Sequence, residues 1–125
     1  MTWGNTYVQV ESEELCAKTE IEILPIKGEQ DQCMDFSNLY LTLNNVGETT
    51  LSSFRFTFIS KESVMPIERG EKAKPGDIIK IQAPFSPIAR EKIDKVIVTP
   101  LVETHGSIVP CSRNSIAIDY MKVCQ

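Results

Sequence analysis

Phe54, Phe56 and Phe58 alternate with Arg55 and Thr57, and this short run constrains the fold more than any other part of the chain. Side chains at every second position share a face only in extended backbone. Three phenylalanines on one face need a second layer to bury them, while the polar residues between them need water. The alternation recurs. Ile21 and Ile23 oppose Glu20 and Glu22; Leu39, Leu41 and Leu43 oppose Tyr40 and Thr42; Ile79 and Ile81 flank Lys80. Val96, Val98 and Val102 share one face of a long run, as do Ile116 and Ile118 near the end. The predicted strands are Thr19–Ile26, Phe36–Leu43, a run centred on Phe56, Val64–Ile67, Ile78–Ala83, Ile93–Glu103, Ile108–Pro110 and Ser115–Met121. Pro66 marks Val64–Ile67 as an edge strand, because proline donates nothing to a ladder.

Turn residues punctuate these runs. They are the segment 27–32 with Gly28, the segment 44–48 with Gly47, Lys74-Pro75-Gly76-Asp77, and Thr104-His105-Gly106-Ser107. No amphipathic helix of useful length interrupts them. At 125 residues the chain suits a single domain. The economical outcome is all-β: an immunoglobulin-like antiparallel β-sandwich of about seven strands over residues 16–125. A small barrel is the alternative. Residues 1–15 read as an N-terminal tether or short helix. The tryptophan expected on the third strand of antibody domains is replaced by the phenylalanines, so the antibody-type disulfide between sheets is not expected.

The four cysteines, Cys16, Cys33, Cys111 and Cys124, are 17, 78 and 13 positions apart. Zinc ribbons need close Cys pairs, and none occurs here, so two disulfides are preferred over a metal site or buried thiols. Disulfides point to an oxidising compartment or a hyperthermophilic cytosol. Strand direction bears on the pairing. Alternating up and down from the first strand puts Cys16 and Cys111 at one pole and Cys33 and Cys124 at the other. A disulfide cannot span the poles of a sandwich. Of the three connectivities, only Cys16–Cys111 with Cys33–Cys124 keeps each bond at one pole. A kink at Ser112–Asn114 would move Cys111 and alter this.

The turn and strand pattern resembles a known family. Leu41-Thr42-Leu43-Asn44-Asn45-Val46-Gly47-Glu48, then the Phe54–Phe58 strand, then Lys74-Pro75-Gly76-Asp77 opening Ile78–Ile81, is similar to CARDB-type immunoglobulin-like adhesion domains. The later Val98–Glu103 with Gly106 and Cys111 resembles archaeal membrane-anchored ectodomains, including pilin-like and archaellum-associated ones. The resemblance implies a non-enzymatic surface module and no catalytic residues. Archaeal forms place an apolar helix before the sandwich, so any membrane association is expected only through an anchor preceding Met1.

The net charge of −4 and the interleaved acids and bases of residues 72–95 give no phosphate-tracking face, so no nucleic-acid partner is expected. There is no run of 18 apolar residues. No basic-then-apolar leader opens the chain, and no N-x-S/T sequon occurs. His105, the single histidine, sits in a predicted turn where polar residues are simply tolerated, and a general base needs both an orienting partner and a pocket, so a catalytic role is not expected. Glu11, Glu13 and Glu14 read as a solvated face. Asp31 and Asp35 near Glu29 lack EF-hand spacing, and no metal or cofactor is expected. Exposed aromatics are the better lead: Trp3, Tyr7, Tyr40 and Phe85 are the interaction candidates, although Phe85 also suits a core plug. The expected function is an extracellular or cell-surface interaction or assembly module, binding a protein partner or itself. The first and last strands are its expected edges. A carbohydrate-binding sandwich using Tyr40 and Trp3 is the alternative, and a small β-scaffold hydrolase is a weaker one.

Overall fold

The computed structural model describes residues 13–85 and 92–124. Among these the strands are β1 (Ile21–Ile23), β2 (Pro25–Ile26), β3 (Glu29–Gln30), β4 (Gln32–Met34), β5 (Asn38–Asn45), β6 (Ser53–Ser60), β7 (Val64–Arg69), β8 (Ile78–Pro84), β9 (Ile93–Thr104), β10 (Ser107–Pro110) and β11 (Ile116–Ile118). A short helix covers residues 13–17, and a 3₁₀ turn covers Ser112–Asn114. In the first sheet β5 is central. β8 runs along one side of it, and β1 and β4 share the other. The second sheet has the order β10-β9-β6-β7, with β11 also on β9. All these pairings are antiparallel, and both sheets feed one hydrophobic cluster. Three strand positions facing four is an immunoglobulin-like sandwich layout.

The strands outnumber the seven expected because the first predicted one, Thr19–Ile26, breaks. Leu24 still donates its N–H to Thr42, but its carbonyl accepts from Asp31 N–H, and the Asp31 carbonyl takes the Thr42 N–H that would have continued the ladder. The chain leaves as the β2–β3 hairpin, whose turn residues Lys27 and Gly28 have φ of 53° and 83°. Two left-handed residues match the twist of a two-residue hairpin. β4 then rejoins β5. The last predicted strand, Ser115–Met121, shortens to β11. Beyond it the chain crosses to the first sheet and runs parallel to β4, with Met34 N–H donating to the Lys122 carbonyl (2.7 Å) and Cys124 N–H to that of Met34 (3.0 Å).

Phe54, Phe56, Phe58, Leu39, Leu41, Leu43, Ile81, Val96, Val98 and Ile118 are buried, as their alternation requires. Ile79 and Ile116, also expected in the core, are only half-buried. Both lie on strands with one neighbour, so solvent reaches them from the side. Both tight turns form. Asp77 N–H donates to the Lys74 carbonyl with Gly76 at φ 90°, a type II turn. His105 and Gly106, at φ 50° and 78°, make the two-residue hairpin turn between β9 and β10.

Gly47 is required by close approach. Its N–H donates to the Glu20 carbonyl and to Asn45 Oδ1. A Cβ there would sit 2.5 Å from Glu20 N and 2.6 Å from Lys18 O, both backbone atoms. Gly47→Ala is therefore expected to push residues 18–20 away and to destabilise by about 2–3 kcal/mol, the range for overpacking. Urea denaturation measures this, and a change under about 0.5 kcal/mol, typical of a surface site, would contradict it.

Candidate functional site

The disulfides are Cys16–Cys111 and Cys33–Cys124, with Cα separations of 5.3 Å and 4.9 Å. This is the pairing favoured by strand direction. The first ties the N-terminal helix to the end of β10. The second ties the C-terminal segment to β4. Neither links β5 to β9. The two bonds fit an oxidising environment. Among the described residues no helix is long and apolar enough to cross a membrane.

The aromatic candidates fare differently. Trp3 and Tyr7 lie outside the described residues. Phe85 is fully buried, with its ring 5.6 Å from that of Phe58, so it plugs the core and is not an interaction residue. A proline-flanked loop position does not reveal whether the ring folds inward, and burial of its large apolar area decided it. Tyr40 is half-buried on the outer face of the first sheet, in register with Cys33 and Gln82. Its hydroxyl donates to Asp35 Oδ2 at 2.9 Å. That bond, with burial and the nearby Asp35 charge, raises the Tyr40 pKa above its ordinary value.

The acidic loop residues are occupied structurally. Asp35 Oδ1 accepts the N–H groups of Ser37 and Asn38, and Asp31 accepts the Thr42 hydroxyl at 2.6 Å. Glu13 and Glu14 are exposed on the short helix. Among the described residues no cluster of three or more His, Cys, Asp or Glu is placed to hold a metal ion. His105 is exposed in its left-handed turn position. His105→Ala is expected to shift stability by no more than about 1 kcal/mol, since the turn geometry is carried mainly by Gly106. A larger loss in thermal unfolding would show that the side chain holds more than the turn.

Sheet edges separate the surfaces more sharply. β1 and β11 are edges, as expected, but each is three residues long and lies close to a disulfide. The long edges are β7 and β8, on the same side of the sandwich. On β7 the Ser60–Ser63 bond sets the alternation, so Val64, Pro66 and Glu68 turn their backbone groups outward. Pro66 leaves that edge without a donor at its centre. On β8 the bonds Phe85 N–H to Ser37 O and Asn45 N–H to Asp77 O set the phase. Ile79, Ile81 and Ala83 bond β5, and the N–H and C=O groups of Lys80 and Gln82 point away from it. Among the described residues nothing pairs with them.

Two clefts flank this edge and share Lys80, Ile81 and Gln82. One, of about 380 Å³, is completed by Arg69, Gly70 and Glu71. The other, of about 410 Å³, is completed on the outer face by Asp31, Gln32, Cys33, Tyr40 and Leu41. A larger cleft of about 540 Å³ lies over the Cys16–Cys111 bond. Its Asn114 amide is already committed to the Thr19 carbonyl. The β8 edge is not among the edges expected from the sequence, the first and last strands. The available signal was the segment 70–77, which holds no alternating run that could supply a covering strand.

The chain matches no family model, no curated protein and no solved structure. Fold and site together define a class: a disulfide-stapled antiparallel sandwich whose β8 edge is unpaired among the described residues.

Proposed function

We propose that the protein is a non-enzymatic extracellular or cell-surface interaction module that holds an extended segment of a protein partner along β8. Strand addition gives main-chain hydrogen bonds to the partner, while pockets beside the edge select its side chains. The observation that carries this reading is the outward N–H and C=O of Lys80 and Gln82, set between two clefts on a strand held along its length by β5. The disulfides and the full core make the scaffold rigid, so little ordering cost falls on this side of the interface.

Amide NMR of the intact protein with an alternating Thr-Val peptide as probe tests the edge. Saturable shifts are expected at the Lys80 and Gln82 amides. Gln82→Pro removes an outward-facing donor, so it should abolish the Lys80 shift while thermal unfolding confirms the fold. Shifts confined to other surfaces, or binding unchanged in Gln82→Pro, would refute the reading.

A further inference from the structure

We infer that the segment taken by β8 is acidic and carries carboxylates at two adjacent positions; this rests on the edge reading above. An antiparallel strand added to β8 places one side chain directly opposite Lys80 on the outer face. Its next residue points the other way, into the cleft between the β7 and β8 edges. That cleft is bordered by Arg69, Gly70 and Glu71. On β7, Met65 and Ile67 face the core, and Arg69 shares their parity. Arg69 is nevertheless exposed, and it lines this cleft together with Lys80, Ile81 and Gln82. One cation therefore meets each face of the incoming strand.

Both cations are unpaired among the described residues. The ion pairs there are Arg55–Glu68 and Lys122–Glu29, and neither involves Arg69 or Lys80. The loop leading into β8 adds Lys72 and Lys74. The opposing acids are Glu71, Asp77 and, in the outer-face cleft beside Lys80, Asp31; Asp77 already accepts the Lys74 N–H at 2.8 Å and Asp31 the Thr42 hydroxyl at 2.6 Å. The chain as a whole has a charge of −4, whereas along this edge Arg69, Lys72, Lys74 and Lys80 outnumber Asp31, Glu71 and Asp77 among the described residues, a local inversion of sign. Such a patch steers acidic partners toward it. The same charges oppose β8 pairing with β8 of a second copy, which would bring the two cationic margins together.

The test compares two extended peptides identical except for a central Glu-Glu or Lys-Lys pair, each flanked by alternating Thr and Val. At low salt the acidic peptide is expected to bind roughly tenfold more tightly, with shifts at Lys80, Gln82 and Arg69. The preference should shrink as salt screens it. The double variant Arg69→Glu with Lys80→Glu should reverse it. Equal binding of the two peptides, both lost in Gln82→Pro, would overturn the acidic assignment and leave the edge reading standing. No shift at the β8 amides with either peptide would overturn both. Dimerisation of the protein abolished by Gln82→Pro would overturn the assignment in favour of a second copy.

Discussion

Phe56→Ala is expected to cost about 3–5 kcal/mol, the range for truncating a fully buried phenylalanine. Phe56 has no exposed surface, and it sits mid-strand on β6 between Ile67 of β7 and Val98 of β9. Phe54 and Phe58 bracket it on the same face, and both are buried against the first sheet. The cavity left behind is enclosed on every side by ladder backbone and packed side chains, so it can collapse only partly. A domain of this size is stable by about 5–15 kcal/mol, so the loss is a large share of the total. Phe36, at 81% exposure, supplies the control, and Phe36→Ala should change stability by no more than about 0.5 kcal/mol. Denaturant midpoints at constant slope measure both. A Phe56→Ala loss under about 1 kcal/mol would mean that the sheets do not pack as described.

Loss of both disulfides is expected to be larger still. The bonds join residues 95 and 91 positions apart, and a first bond closing such a loop is worth about 4–5 kcal/mol in the chain-entropy model. The second bond is worth less. Once one bond is closed, the other completes a ring built only from segments 16–33 and 111–124. A ring of about 30 residues corresponds to about 3–4 kcal/mol. Cys33→Ala with Cys124→Ala should therefore cost less than removing the remaining bond afterwards. Cys33 and Cys124 are half-exposed, so that variant leaves little cavity, whereas Cys111 is 1% exposed and its replacement adds a packing loss. Thermal unfolding of the variants measures the order. Equal costs for first and second removal would show that the two bonds do not share a ring in the unfolded chain.

Side-chain alternation was legible because it is local. Whether Phe56 or Arg55 faces inward follows from a period of two, and no distant residue can reverse it without reversing the whole strand. The turns at Gly76 and Gly106 were legible for the same reason, since positive φ is a property of single residues. The disulfide pairing was reachable from strand direction, because antiparallel order fixes which end of each strand lies at which pole.

Other features depend on what lies beside a residue in space. Phe85 carries no periodic signal, and its burial against Phe58 follows only once β6 and β8 occupy facing sheets. The Thr19–Ile26 run reads as one strand, but the β2–β3 hairpin divides it, because β4 returns to claim the second half of the same side of β5. Ile116 and Ile79 have core-type sequence and lie half-open, since their strands have a neighbour on one side only. The C-terminal segment changes sheets, and there the Met34 backbone bonds and the Cys33–Cys124 disulfide hold it beside β4.

By itself the sequence determined which face of each strand is apolar, where the chain turns, and that the four cysteines fit two poles of a sandwich. Tertiary structure alone decided which edges are covered. Pro66 removes a donor from the β7 edge only in the observed register, and the outward groups of Lys80 and Gln82 are open because, among the described residues, no other segment pairs on that side of β8. Edge exposure is set by strand order, strand order by long-range pairing, and long-range pairing by packing free energy summed over the whole core, which no local pattern contains.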